Sequence, residues 1–112
     1  LARQVLGNDE LIGKKRTSIT DIINAVTTYY DVRLADLQSK KRSQSIALPR
    51  QICMYLARNL TSHSLEEIGG HLGGRDHTTV LHACSKLSDL EQKDERVRLE
   101  LSELTRSIEE TN

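Results

Sequence analysis

The chain has 112 residues, 16 basic and 16 acidic side chains, and only three aromatics, Tyr29, Tyr30 and Tyr55. That length fits one domain with a modest, mainly aliphatic core. No apolar run is long enough to cross a bilayer and no secretory signal occurs, which excludes a spanning segment in this sequence. The formal net charge of zero argues against a nucleic-acid partner only until its distribution is considered. Residues 32–88 carry eight basic and four acidic groups, whereas residues 89–112 carry four and eight. Binding responds to the field within a Debye length of about 8–10 Å, so a basic centre with an acidic tail is compatible with DNA on one face.

Residues 1–16 begin with a helix-like stretch, Leu1-Ala-Arg-Gln-Val-Leu, and continue as a polar linker through Asn8-Asp9-Glu10 and Gly13-Lys14-Lys15-Arg16. The chain opens on leucine and is expected to be a piece of a longer polypeptide, with a domain boundary near residue 16. A first helix is predicted over 19–30, where Ile19, Ile22, Ile23, Val26 and Tyr30 recur at helical spacing behind Ser18 as cap. A short second helix at 34–39 is expected to turn Leu34 and Leu37 inward. Residues 40–45, Lys-Lys-Arg-Ser-Gln-Ser, break the apolar pattern and read as a basic polar loop. The third helix is placed at 48–61 with Pro49 in its first turn, where a missing amide costs nothing. Its inner stripe is Ile52, Cys53, Leu56 and Leu60; Arg50, Gln51 and Arg58 are expected to reach outward. Cys53 and Cys84 both fall on predicted apolar faces, which fits reduced core residues in a cytoplasmic protein.

The segment from Ser64 to Ala83 is the most informative part of the chain. Ser64 and Glu67 form a capping-box pattern ahead of Leu65, Ile68 and Leu72. Gly73-Gly74 then supplies a turn, and Asp76 is positioned to cap a second helix whose apolar residues are Val80, Ala83, Cys84, Leu87 and Leu90. Helix, glycine turn and helix make a helix-turn-helix unit, whose second helix enters the major groove in DNA readers. Thr78, His82 and Ser85 fall on the outer face with Leu81 at its edge, and small polar groups near a helix N-terminus can bond base edges or phosphate. The same residues also suit an ordinary solvated face. A last helix begins after Asp94, with Val97, Leu101, Leu104 and Ile108 on one side. The fold class is all-α, about six helices.

The run Gly73-Gly-Arg-Asp-His-Thr-Thr-Val-Leu-His-Ala83 closely resembles the C-terminal DNA-binding domain of the bacterial chromosomal replication initiator DnaA. Tyr29-Tyr30, Ala35-Asp36-Leu37, Ser39 to Ser43, Pro49-Arg50-Gln51 and His63-Ser64-Leu65 resemble the same domain in the same order. The resemblance extends over about residues 17–108. It implies a TrpR-like helix-turn-helix core over 17–112, and makes residues 1–16 the end of a preceding ATPase module and its connector. It implies binding to double-stranded DNA at DnaA boxes, short origin sites related to TTATNCACA. Asp76, His77, Thr78 and Thr79 would then read bases in the major groove, with Leu81 against a thymine methyl and Arg75 on a base or a phosphate. Arg42 would enter the minor groove, and Lys40, Lys41, Arg50, Gln51, Arg58, Thr61, His63 and Ser64 would hold the backbone. No P-loop occurs in the chain, so no cofactor is expected in it and ATP is expected elsewhere in the full-length protein. Self-assembly at the origin and regulatory protein partners are implied by the same resemblance.

The chain departs from the family at Gln44 and Leu48, where relatives often carry arginine, and at Glu66, where many carry proline or a neutral residue. Fewer peripheral cations imply weaker salt dependence. Two other readings stand beside this one. A zinc or enzyme module would use Cys53, His63, His71, His77, His82 and Cys84, whose spacing matches no standard Cys/His zinc pattern. A helical interaction module would use the acidic final helix.

Overall fold

The computed structural model describes residues 17–111, among which there are six helices and no strands. They are α1 (Ile19–Tyr30), α2 (Leu34–Gln38), α3 (Gln44–Leu60), α4 (Leu65–His71), α5 (His77–Lys93) and α6 (Glu95–Thr111). The expected boundary near residue 16, and the assignment of residues 1–16, lie outside the described residues.

Each helix begins or ends for a local reason. At α1, Ser18 Oγ accepts from the Asp21 amide at 3.1 Å while the Ser18 amide donates back to Asp21 at 3.2 Å, closing a capping box. Asp31 ends the helix in a left-handed conformation (φ 56°), which aspartate tolerates better than most residues. The buried stripe of α1 is Ile19, Ile22, Ile23 and Val26, as its spacing predicts. In α2 only Leu37 is buried. Leu34 is 45 % exposed, correcting the expectation that both leucines face inward. A helix of five residues has little more than one turn, so one side chain covers its inner face.

The third helix starts a full turn earlier than Pro49 suggests. The Ile46 and Ala47 amides both donate to the Ser43 carbonyl, so the first turn closes before the proline is reached. Pro49 therefore lies inside α3 and is buried. Ile46, also buried, draws this extra turn onto the protein. The expected basic loop ends correspondingly at Ser43.

The core joins α1, α3, α5 and α6, with Ile22, Val26, Ile52, Cys53, Val80 and Leu87 fully enclosed. In α6, Val97, Leu101, Leu104 and Ile108 are buried on the side that faces α1 and α5. Its acidic groups lie off this stripe, with Glu100 and Glu103 on the flank toward α1. Three tyrosine hydroxyls tie the helices together by donating to glutamates: Tyr29 to Glu103 (2.6 Å), Tyr30 to Glu100 (2.7 Å) and Tyr55 to Glu91. The bond to Glu103, reinforced by burial, pushes the Tyr29 hydroxyl up to about 12. Burial, followed by the bond to Glu100, raises Tyr30 still further. Cys53 and Cys84 are both free and buried, and burial pushes the Cys53 thiol up to about 12.

Candidate nucleic-acid interface

The helix-turn-helix unit follows from the cap of α4, the glycines of the turn and the cap of α5. Ser64 Oγ accepts from the Glu67 amide at 3.1 Å, and the Ser64 amide donates to Glu67 at 2.8 Å, so the capping box expected from the sequence is present. That backbone bond holds the Glu67 carboxyl below the usual carboxylate range. At the far end of α4 the Gly69 carbonyl accepts three amides, those of Leu72, Gly74 and Arg75, at 3.0–3.1 Å. A Cβ on Gly69 would lie 2.0 Å from the Arg75 carbonyl oxygen, so only glycine lets the turn fold back this tightly. Gly73 and Gly74 occupy left-handed conformations at φ 94° and 77°.

The second helix then starts at a fixed point. Asp76 Oδ1 accepts from the Thr79 amide at 2.9 Å, and this bond lowers its pKa first among several causes. With Val80, Ala83, Cys84 and Leu87 buried, His77, Thr78, Thr79, Leu81 and His82 are all exposed. The side chains of His77 and Thr78 make no hydrogen bond among the described residues, and both stand in the first turn of α5, where free backbone amides face an incoming ligand. Leu81, 41 % exposed, is one of four large apolar side chains left in solvent among the described residues.

The basic segment lies against this turn. Lys41 Nζ bonds Asp36 at 2.9 Å and holds that carboxyl below its ordinary range, while the side chains of Lys40 and Arg42 are exposed and have no partner among the described residues. One groove of about 450 Å³ is lined by Lys40, Lys41 and Arg42 on one wall, and by Gly73, Gly74, Arg75 and Thr79 on the other. The arm and the start of α5 are therefore neighbours in space.

Two arginines are held by backbone carbonyls. Arg50 does not reach outward: it is 7 % exposed, and its guanidinium donates to the carbonyls of Leu37 (2.8 Å), Asp36 (3.1 Å) and Ser39 (3.1 Å). The cause is the C-terminus of α2, where the Leu37 and Ser39 carbonyls lack a helical partner and the Asp36 carbonyl also takes the Ser39 amide. Arg75 is turned back in the same way, onto Leu72 and Ser39. Burial lowers the pKa of both groups, and for Arg50 the Arg75 charge adds to it. A sign of this was present in the sequence, since α2 ends without a glycine or a basic residue to satisfy its carbonyls.

The remaining candidates are spread along α3 and the loop after it. Gln51 lines a second groove, about 260 Å³, between α3 and α5, shared with Thr79, His82 and Lys86; its Oε1 is buried without a partner. Lys86, which sequence reasoning overlooked, adds an exposed cation there. Arg58 is exposed on α3 and lowers the Cys84 thiol against the larger effect of burial. Thr61 donates to Ala57 and accepts from the His63 amide, so its hydroxyl closes the end of α3. His63 pairs with Glu67 at 3.4 Å. Among the described residues no group of three His, Cys, Asp or Glu side chains is placed to hold a metal, and no helix is long and apolar enough to cross a membrane.

A capped short helix, a glycine turn held on one carbonyl, and a second helix presenting free polar groups beside a cationic arm define a helix-turn-helix DNA-binding domain. Residues 19–87 match the model of the bacterial DnaA protein helix-turn-helix family, and the chain belongs to that family. DNA binding and replication initiation are the functions of that family, and double-stranded DNA is its partner.

Proposed function

We propose that this domain binds DnaA boxes in the replication origin and anchors an initiator there. His77, Thr78 and Thr79 read base edges in the major groove; Asp76 caps α5 and accepts from cytosine N4, and Leu81 meets a thymine methyl. Arg42 enters the adjacent minor groove, whose narrow AT-rich form attracts a guanidinium. Lys40, Lys41, Arg58, Gln51, Ser64, Thr61 and His63 approach the phosphates, with Lys86 added to them. Arg50 and Arg75 act from within the protein. The larger polypeptide supplies ATP binding and assembly on the origin, and it works in the cytoplasm.

The observation that carries this reading is the single groove shared by the arm and the turn before α5. A major-groove helix and a minor-groove arm must lie this close to follow one face of a duplex. Titrating labelled duplexes that contain or lack a TTATNCACA-type site, at two salt concentrations, tests it. The box is expected to bind about a thousandfold tighter than a scrambled duplex, with both affinities falling as salt rises. Equal affinity for the two duplexes refutes the proposal.

A further inference from the structure

The end of α2 and the turn before α5 are 36 residues apart in sequence, yet two side chains join them and a third braces the α2 end. Arg50 from α3 takes the Leu37, Asp36 and Ser39 carbonyls. Arg75 takes the Ser39 carbonyl too, and with its other terminal nitrogen the Leu72 carbonyl at the end of α4. Gln38 adds the second link, donating from Nε2 to the His71 carbonyl at 3.0 Å. The backbones meet directly as well: a Cβ on Gly73 would lie 2.4 Å from the Gln38 carbonyl oxygen. Bridging two carbonyls from one side chain suits the planar fork of arginine, and a lysine ammonium lacks that geometry.

The placement of these links along the chain gives them a purpose. Ser39 immediately precedes Lys40, Lys41 and Arg42, and Arg75 immediately precedes Asp76, the cap of α5. Fixing residue 39 against residue 75 fixes the arm against the reading helix. We propose that Arg75, through the Ser39 carbonyl, is a positioning residue that locks this register, so that the two halves of a site are read at one spacing only. The proposal rests on the box-binding function above and concerns how strictly spacing is enforced.

The test uses the 112-residue chain, with Arg75→Gln and Arg75→Lys compared against the unaltered protein. Three duplexes are titrated across a salt series: the box, the box with one base pair inserted between its AT-rich and CACA halves, and a scrambled sequence. The unaltered chain is expected to lose about tenfold or more on insertion. Both variants should shrink that penalty about fivefold while leaving the slope of log affinity against log salt unchanged. A penalty that stays whole in both variants overturns the proposal. So does a slope reduced by about one in Arg75→Gln and restored in Arg75→Lys, which identifies a phosphate ligand instead. If circular dichroism shows that Arg75→Gln does not fold, Gln38→Ala replaces it, because its side chain is exposed and lies at the edge of the bridge. That variant should reduce the insertion penalty about twofold, and an unchanged penalty overturns the proposal. Failure of the underlying function looks different: the unaltered chain would then bind box and scrambled duplex alike.

Discussion

Arg42 and Arg50 are both arginines near the proposed DNA face, and their surroundings give them opposite tasks. Arg42 is exposed with no partner among the described residues, so its charge is available to a ligand. Arg42→Ala is expected to weaken box binding and to relax preference in the AT-rich half; unchanged affinity and preference in a base-substitution series would rule out a minor-groove role. His77→Ala and Thr78→Ala should instead lower discrimination by about 1–3 kcal/mol at the bases they read, leaving binding to random DNA nearly intact. Arg50, by contrast, satisfies three carbonyls. Arg50→Met should destabilise the fold by about 1–3 kcal/mol in urea denaturation, because the buried Leu37 carbonyl loses its donor, while the salt slope of the folded fraction stays the same. A sequence shows that an arginine is basic. It does not show whether a carbonyl or a phosphate will meet the guanidinium, since that partner is set by tertiary placement.

At the scale of elements, the helix starts that rest on neighbouring residues were legible and those that rest on distant packing were not. The caps at Ser18 and Asp76 and the box of Ser64 with Glu67 are all three-residue relations formed as the sequence predicts, and at Ser18 the Asp21 carboxylate completes a second box. The start of α3 was misplaced because Pro49 reads locally as a first-turn residue. What decides it is Ile46, which becomes buried only once the other helices are present. Leu34 was misassigned for the related reason that a five-residue helix has too little length for periodicity to choose its inner face. The glycine turn was legible in outline through Gly73-Gly74, but the closest approach lies earlier, at Gly69. Gly69→Ala is therefore expected to cost about 3 kcal/mol or more, since its methyl would meet backbone rather than a movable side chain. It should also abolish box recognition at temperatures where the protein remains helical. A variant of wild-type stability measured by thermal unfolding would refute this account of the turn.

Across the whole molecule, charge is unevenly placed. The arm carries Lys40, Lys41 and Arg42, with Lys86 exposed on α5, while α6 carries five of the eight acidic groups of residues 89–112. The tyrosines donate to acidic groups of this tail and confer a pH limit on stability. A hydroxyl whose folded pKa is raised holds its proton in the native state after the unfolded chain has lost it. Stability is then complete below the ordinary tyrosine value of about 10 and falls as pH rises toward the native value of about 12 for Tyr29. Alkaline unfolding is expected to begin above about pH 10, with tyrosine ionisation rising cooperatively alongside loss of helix. Ionisation at an unperturbed pH with the helices intact would refute the bonds to Glu100 and Glu103.

Those same hydroxyl–carboxylate bonds make the chain its own optical gauge. With no tryptophan present, near-ultraviolet emission comes from the three tyrosines alone, and each donates to a glutamate on α5 or α6. A carboxylate accepting the phenolic proton quenches the excited ring, so the native protein should be dim and should brighten when α6 detaches from α1. Because none of these rings lines the groove shared by the arm and the turn before α5, the signal should report the integrity of the scaffold while DNA is being titrated, without a dye or an engineered label.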